Sequence, residues 1–158
     1  MNLHRIRWRV ILLCLVSFAS TADAAVSCGV STTGVAFGAY DPILGQARDT
    51  SGTISVSCTG NSGDAVSYSI LLSAGDGTFS SRVMAGSAVP LQYNLYTDIA
   101  RSQVWGDGTG GTIVVSDSYS LSSSPTVRNY TVYGRIPSGE TNITAAAYSD
   151  SITITLNY

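Results

Sequence analysis

The amino-acid sequence predicts an all-β protein of the two-sheet sandwich class, and three observations lead to this prediction. Apolar and polar residues alternate along several short segments, which is the period-2 pattern of a strand with one buried face. Clusters of Gly, Ser, Asn and Asp separate these segments and favour turns. No segment after residue 24 shows sustained helical spacing. The alternating segments are 52–58, 66–72, 91–96, 130–136 and 150–158.

Each of these segments collects its larger residues on one face, as a half-buried strand requires. Between them, the stretches GDGT at 75–78 and GDGTGG at 106–111 contain Asp-Gly pairs, which supply the positive φ that hairpin turns need. Closely spaced short strands, with a cysteine near the first of them, favour an immunoglobulin-like β-sandwich.

The first 24 residues are predicted to be a secretory signal peptide, and residues 25–158 the mature domain. Three arginines within the first nine residues precede an apolar run at 10–18, and Ala22-Asp23-Ala24 then offers a small-x-small cleavage site. The apolar run is too short to span a bilayer, so we expect no transmembrane segment in the mature chain. We expect export to the periplasm, and from there to the cell surface or an extracellular fibre.

Removal of the signal peptide leaves five arginines, no lysine and nine acidic residues, for a formal charge of 5 − 9 = −4. Nucleic-acid binding becomes a poor hypothesis, because no basic stripe remains to displace counterions. The sole histidine, His4, is removed as well. We therefore expect no cofactor and no metal site.

Two cysteines remain in the mature chain, and we expect Cys28 and Cys58 to form a disulfide because the compartment is oxidising. Such a bond would stabilise the fold by about 3 to 4 kcal/mol on the chain-entropy estimate. The alternative is that Cys28 is a lipidated N-terminal cysteine.

Catalysis is a poorer hypothesis than a structural role. Without His or Lys, acid–base chemistry falls to Asp, Tyr or the lone Glu140, and a serine nucleophile has no obvious base. Paired carboxylates, as in glycosidases, remain one alternative. The aspartates mostly lie in turn-like settings, where a bond from the side chain to the backbone explains them. The two GDG stretches lack the repeated Asp spacing of calcium loops.

A series of motifs resembles the spore coat protein U family, in that family's order and over almost all of residues 25–158. The motifs are FGAYDP (37–42), GTISVSC (52–58), LLSAG (71–75), RVM (82–84), LQYNLYTD (91–98), WGDGT (105–109), YTVYGRIP (130–137) and YSDSITITLNY (148–158). That family is similar to the subunits of archaic chaperone-usher pili, which attach Gram-negative bacteria to surfaces and build biofilm. The resemblance implies an incomplete immunoglobulin-like sandwich that lacks its final strand.

An incomplete sandwich would leave a hydrophobic groove beside the last segment, with unpaired backbone along its edge. We expect the groove-side face to be Ile152, Ile154, Leu156 and Tyr158. The resemblance implies three partners: a periplasmic chaperone that lends a strand, an outer-membrane usher, and a sibling subunit whose N-terminal strand replaces that of the chaperone. An ordinary terminal strand in a complete sandwich is the alternative.

The predicted mature N-terminus departs from the pattern of polymerising subunits. Only Ala25, Val26 and Ser27 would precede Cys28, whereas a strand that fills a groove needs about five residues or more. We therefore expect a subunit that accepts a strand without donating one, at the distal tip of a fibre or outside the fibre.

Trp105 is a candidate surface contact, because QVWGDGTGG places it at the edge of a predicted loop. Three functional hypotheses follow: an adhesive pilus subunit, a secreted coat or matrix protein of the same fold outside pili, and, least favoured, a secreted hydrolase with paired carboxylates.

Overall fold

The structure is a computed structural model that describes residues 25–158, so the predicted signal peptide and its cleavage site lie outside the described residues. The described chain contains strands and no helix, and none of it forms a helical span long and apolar enough to cross a membrane. The strands are β1 (Ser27–Thr32), β2 (Arg48–Thr59), β3 (Ala65–Leu72), β4 (Arg82–Met84), β5 (Leu91–Tyr96), β6 (Val115–Ser120), β7 (Thr126–Ile136) and β8 (Ile154–Asn157).

The strands form two antiparallel sheets that enclose an apolar core. One sheet has five strands in the order β1-β2-β7-β5-β4, and the other has three in the order β6-β3-β8. The long β2–β7 pair, which runs from Arg48 opposite Ile136 to Cys58 opposite Thr126, is the backbone of the larger sheet. Side chains from both sheets are buried between them, among them Ile54, Val56 and Ile70. The predicted all-β sandwich is confirmed.

The predicted strands agree with the structure except at the C-terminal segment. Segments 52–58, 66–72 and 130–136 lie within β2, β3 and β7, and segment 91–96 is β5. The last strand begins only at Ile154, because the partner strand β3 ends at Leu72, which is opposite Ile154. Residues 150–153 thus precede β8, although the N–H of Ser73, just after β3, still donates to the carbonyl of Thr153 at 3.0 Å.

The chain after β1 leaves the larger sheet and crosses the inner face of β2 and β7. The last backbone bond to β2 runs from the N–H of Thr33 to Thr53. The crossing requires two glycines. A Cβ on Gly52 would overlap the carbonyl oxygen of Gly34, and a Cβ on Gly134 would lie 2.7 Å from Val35 Cγ1. Val35 and Phe37 can therefore pack on the inner face of the larger sheet only because these two positions carry no side chain.

A disulfide ties β1 to the larger sheet. Cys28 and Cys58 are directly opposite in the β1–β2 ladder and are bonded, as the sequence predicted. Because the sulfur of Cys28 is bonded to Cys58, no thiol remains there for a lipid, and the lipidation alternative is wrong.

Hydrogen-bonded tyrosines join the two sheets near β6. The hydroxyls of Tyr68 and Tyr130 are 2.6 Å apart, and Tyr130 also donates to Asp117 at 2.6 Å. Burial, followed by these hydrogen bonds, raises the pKa of Tyr130 above its usual value, so the phenol stays a donor. This side of the sandwich is closed by polar contacts as well as by apolar packing.

A fully buried arginine joins β4 to the elements around it. Arg82 is 0% exposed, and its guanidinium donates to the carbonyls of Ser73 and Trp105 and to Asn94 Oδ1. No carboxylate lies within 4.0 Å of it among residues 25–158. Burial lowers the pKa of Arg82, but the carbonyl oxygens replace the lost water.

The expectation that Trp105 lies at a surface is wrong. Its side chain is 1% exposed and packs in the core, and its Nε1 donates to the carbonyl of Ile70 at 3.0 Å. The GDG stretch that follows it is a turn, as predicted, but the backbone of Trp105 already bonds to Leu95 of β5. The indole therefore points between the sheets and cannot contact a receptor.

Replacing Gly52 by Ala should prevent the crossing after β1. The added methyl group meets backbone that cannot move without breaking the Thr33–Thr53 bond, and overpacking of this kind costs at least about 1–3 kcal/mol. The measurement is the amount of soluble, disulfide-bonded protein in periplasmic extracts. The matched control is Gly29→Ala in β1, where a Cβ would meet nothing within 4 Å and the yield should not change. Equal yields from the two variants would contradict the crossing.

Replacing Trp105 by Ala should reduce the yield of folded protein, because truncating a buried Trp costs about 3–5 kcal/mol. The control is Ile99→Ala, since Ile99 is 73% exposed in a loop and its truncation leaves the core intact. A folded Trp105→Ala protein with normal yield and weaker attachment to surfaces would restore the surface role.

Candidate functional site

An apolar groove lies between residues 34–42 and residues 143–154 of the described chain. Its volume is about 820 Å³. The floor is the inner face of the larger sheet, including Tyr93 and Leu95 of β5 and Val132 of β7. These three side chains are each no more than 5% exposed, so the walls cover the core on this side and the groove lies between them.

The first wall of the groove is the segment after the crossing. Val35, Phe37 and Tyr40 line it, and Phe37 packs edge-to-face on Tyr93 with ring centroids 5.8 Å apart. From Val35 to Tyr40 no backbone N–H donates a hydrogen bond within residues 25–158. Two backbone carbonyls of this wall accept hydrogen bonds from side chains of β2. Arg48 Nε donates to the carbonyl of Phe37 at 3.0 Å, and the Thr50 hydroxyl donates to the carbonyl of Ala36 at 2.9 Å.

The second wall consists of residues 143–152 and the start of β8. β8 is paired only with β3, so its other edge is open toward the groove. Within residues 143–152, the backbone pairs with a neighbouring segment at one isolated bridge, between Ser149 and Ala85, which follows β4. Both walls therefore present unpaired backbone polar groups above an apolar floor, which is the arrangement that an added β-strand satisfies.

Asp150 attaches the second wall to the floor. Its carboxylate accepts hydrogen bonds from the Tyr93 hydroxyl at 2.7 Å and from the N–H groups of Ser151 and Asp76. Burial, followed by the bond to Asp150, raises the pKa of Tyr93, so Tyr93 remains a donor at any physiological pH. A Cβ on Gly75 would overlap the Asp150 carboxylate, so the turn at 75–78 needs its glycine there.

The predicted groove residues are only partly brought together. Ile152 and Ile154 line the cavity and are half-buried. Leu156 packs against the core opposite Ile70 but does not line the cavity. Tyr158 is 63% exposed and lies outside the lining. The groove lies beside residues 143–154, so it extends further from the C-terminus than the sequence predicted.

The first wall and most of the floor were not predicted from the sequence. Val35, Phe37 and Ala39 alternate with small residues, and this period-2 signal identifies the wall as an extended segment. The floor residues were assigned to strands, but which of them remain uncovered depends on the positions of the walls. Periodicity along a strand does not encode those positions.

Several of the aspartates act as turn caps. Asp41 accepts from the N–H of Ile43 at 2.8 Å, and Asp107 accepts from the hydroxyl and the N–H of Thr109. The hydroxyl bond, followed by the backbone bond, lowers the pKa of Asp107, which suits a cap and not a general acid. Within residues 25–158 no group of three or more His, Cys, Asp or Glu side chains could hold a metal ion.

Comparison with solved structures supports the sandwich fold. One match is a crystal structure described as the CsuC-CsuE chaperone-tip adhesion subunit pre-assembly complex from archaic chaperone-usher Csu pili of Acinetobacter baumannii, with a TM-score of 0.55 and 18% sequence identity. The match covers 85% of this chain and 40% of that chain, so this chain spans less than half of the neighbour's length. At this identity the likeness shows the fold alone.

Comparison with protein families gives the assignment. No curated protein matches the sequence at a significant level. The family model described as Spore Coat Protein U domain matches residues 14–155, which is most of the chain. This protein therefore belongs to the spore coat protein U domain family.

Proposed function

We propose that this protein is an exported, non-enzymatic subunit of a chaperone-usher pilus, and that its groove accepts a β-strand from another chain. The observation that carries the proposal is the groove between two backbone edges that have no partner strand. An extended segment placed there would pair with the walls and cover the floor, which is β-strand addition. The predicted signal peptide supports the export step.

The energetics favour occupation of the groove. Each large apolar side chain that an inserted strand buries contributes about 1.5–3 kcal/mol, and a groove of about 820 Å³ has room for several such side chains. These contributions are comparable with the whole stability of a typical domain. The occupant is thus a structural component of the fold.

The proposal includes three partners for this protein. The solved neighbour is described as a chaperone–tip subunit pre-assembly complex. By analogy, a strand of a periplasmic chaperone first fills the groove. At an outer-membrane usher, the N-terminal strand of a sibling subunit then replaces the chaperone strand. The role that follows is surface adhesion and biofilm formation.

The mature protein expressed alone in the periplasm should aggregate or fail to melt cooperatively, because the groove leaves apolar walls and backbone edges without a partner strand. Co-expression with its cognate periplasmic chaperone should give a soluble one-to-one complex, measured by size-exclusion chromatography with light scattering. A well-folded, cooperatively melting monomer in isolation would be inconsistent with an open acceptor groove.

Replacing Ile154 by Asp should abolish strand acceptance, because it places an unpaired charge in an apolar groove at a cost of several kcal/mol. Ile152→Asp is a second variant that lies outside the β8 ladder, so it leaves strand pairing intact. The control is Thr155→Asp, on the exposed face of β8. Pull-down by the tagged chaperone should recover the control and neither groove variant. Equal recovery of all three would contradict the assigned groove.

We also propose that this subunit occupies the distal tip. After cleavage at the predicted site, residues 25 and 26 alone precede β1, and β1 is fixed by the Cys28–Cys58 disulfide. A donor strand needs about five residues or more, so this end supplies no donor. A subunit that accepts a strand without donating one can occupy only the terminal position of the fibre.

Immunogold labelling of fibres with antibody to this subunit should mark distal ends only. Antibody to a sibling subunit, which should label the whole shaft, is the control. Label spread evenly along shafts would show that the protein donates a strand, and would contradict the tip role while leaving the pilus role in place.

A second candidate function is a secreted coat or matrix protein that keeps the fold outside pili, and the description of the family favours it. Gene neighbourhood separates the two: a chaperone and an usher encoded beside this chain favour the pilus subunit, and their absence favours the coat protein.

A further inference from the structure

The loop that follows β7 contains an exposed acceptor sequence for N-linked glycans. Asn142-Ile143-Thr144 matches the pattern Asn-x-Ser/Thr, in which the middle residue is not proline. Asn142 and Thr144 are both exposed, whereas Ile143 is half-buried and lines the groove. The two polar residues of the pattern are therefore accessible to solvent beside one end of the groove.

The backbone of this loop is free to enter the binding cleft of another protein. From Asn142 to Ala147, no N–H group donates to a backbone carbonyl within residues 25–158. The loop is held at its base instead, where the N–H of Gly139 donates to the carbonyl of Gly45 at 2.9 Å. A transferase that binds this segment therefore breaks no strand pairing.

A second match to the pattern, Asn129-Tyr130-Thr131, lies in a different environment. It belongs to β7, where Asn129 is opposite Ser55 and Thr131 is opposite Thr53 in the ladder with β2. An enzyme could bind this backbone only if the ladder opened. The two matches thus differ in access although their side-chain chemistry is the same.

Charge distinguishes the two matches as well. Glu140 lies two residues before Asn142, and its carboxylate has no cation within 4.0 Å among residues 25–158. This carboxylate is available to a basic group of a transferase. Val127 occupies the equivalent position before Asn129 and offers no charge.

We propose that Asn142 is an N-glycosylation site, modified in the periplasm by an oligosaccharyltransferase whose sugar donor is an oligosaccharide linked to a polyprenyl diphosphate. The carboxamide nitrogen of Asn142 attacks C1 of the first sugar. The C1–O bond to the diphosphate breaks, polyprenyl diphosphate leaves, and the proton of the nitrogen passes to a base of the transferase. The product is a bulky, hydrophilic group at one end of the groove. This inference rests on the predicted export and not on strand acceptance.

Tryptic digestion and mass spectrometry test the proposal, because trypsin separates the two matches. It cleaves after Arg128 and Arg135, so Asn129 lies in peptide 129–135 and Asn142 in peptide 136–158. The protein is purified from the periplasm and the surface of the bacterium that encodes it. We expect an added oligosaccharide mass on Asn142 in peptide 136–158 and no added mass in peptide 129–135.

Variants expressed from the native gene test whether the added mass depends on this site. Asn142→Gln displaces the carboxamide by one methylene group, and Thr144→Ala removes the hydroxyl of the pattern, so each should abolish the modification. Thr144→Ser retains the hydroxyl and should keep it. Glu140→Gln should lower the modified fraction. The matched control is Asn129→Gln, also an exposed asparagine, which should leave peptide 136–158 fully modified.

An unmodified peptide 136–158, in protein that has reached the periplasm, would overturn the proposal, and so would an added mass that persists in Thr144→Ala. A glycan on Asn129 as well would show that modification precedes folding, and that exposure in the loop does not select the site. An unchanged modified fraction in Glu140→Gln would overturn the role of its carboxylate. All of these results leave the strand-acceptor function in place, whereas absence of the protein from both fractions would overturn its export.

Discussion

The crossing of residues 34–37 over Gly52 and Gly134 is the constraint on which the rest of the architecture depends. It removes the chain after β1 from the larger sheet and places it on the side of the smaller sheet, facing β8 across a gap. A side chain at either glycine would close this route. The groove is therefore built by backbone placement, and its apolar lining continues into the buried core of the sandwich.

The two long sides of the sandwich are consequently held by different means. Near β6, the bonds among Tyr68, Tyr130 and Asp117 join the sheets directly. On the groove side, Asp150 bonds to Tyr93 and Ser149 pairs with Ala85, and the groove lies between the two walls. Arg82 fixes β4 to β5 and to Trp105 from within the core. Such a division suits a protein that must be ordered enough to be recognised and incomplete enough to accept a partner strand.

Much of the fold follows from the sequence because it is encoded locally. Alternation identified four strands, the Asp-Gly pairs identified turns, and two cysteines in an exported chain identified the disulfide. Trp105 was misassigned because its neighbours are turn residues, whereas its burial depends on Leu95 and Ile70, which are distant in sequence. β8 is shorter than the alternating segment from which it was predicted. Alternation reflects the strand preference of one segment, whereas a strand ladder also needs a partner strand of the same extent.

The groove was predictable in kind but not in position. An open edge beside residues 152–156 follows from alternation and the family resemblance, yet the other wall comes from residues 34–40, more than a hundred positions away. The two walls become neighbours only after the chain has crossed the larger sheet, and alternation along one segment does not encode that crossing. On the proposed function, the apolar lining and the open backbone edges point to the same requirement, since a single added strand supplies both apolar area and backbone pairing.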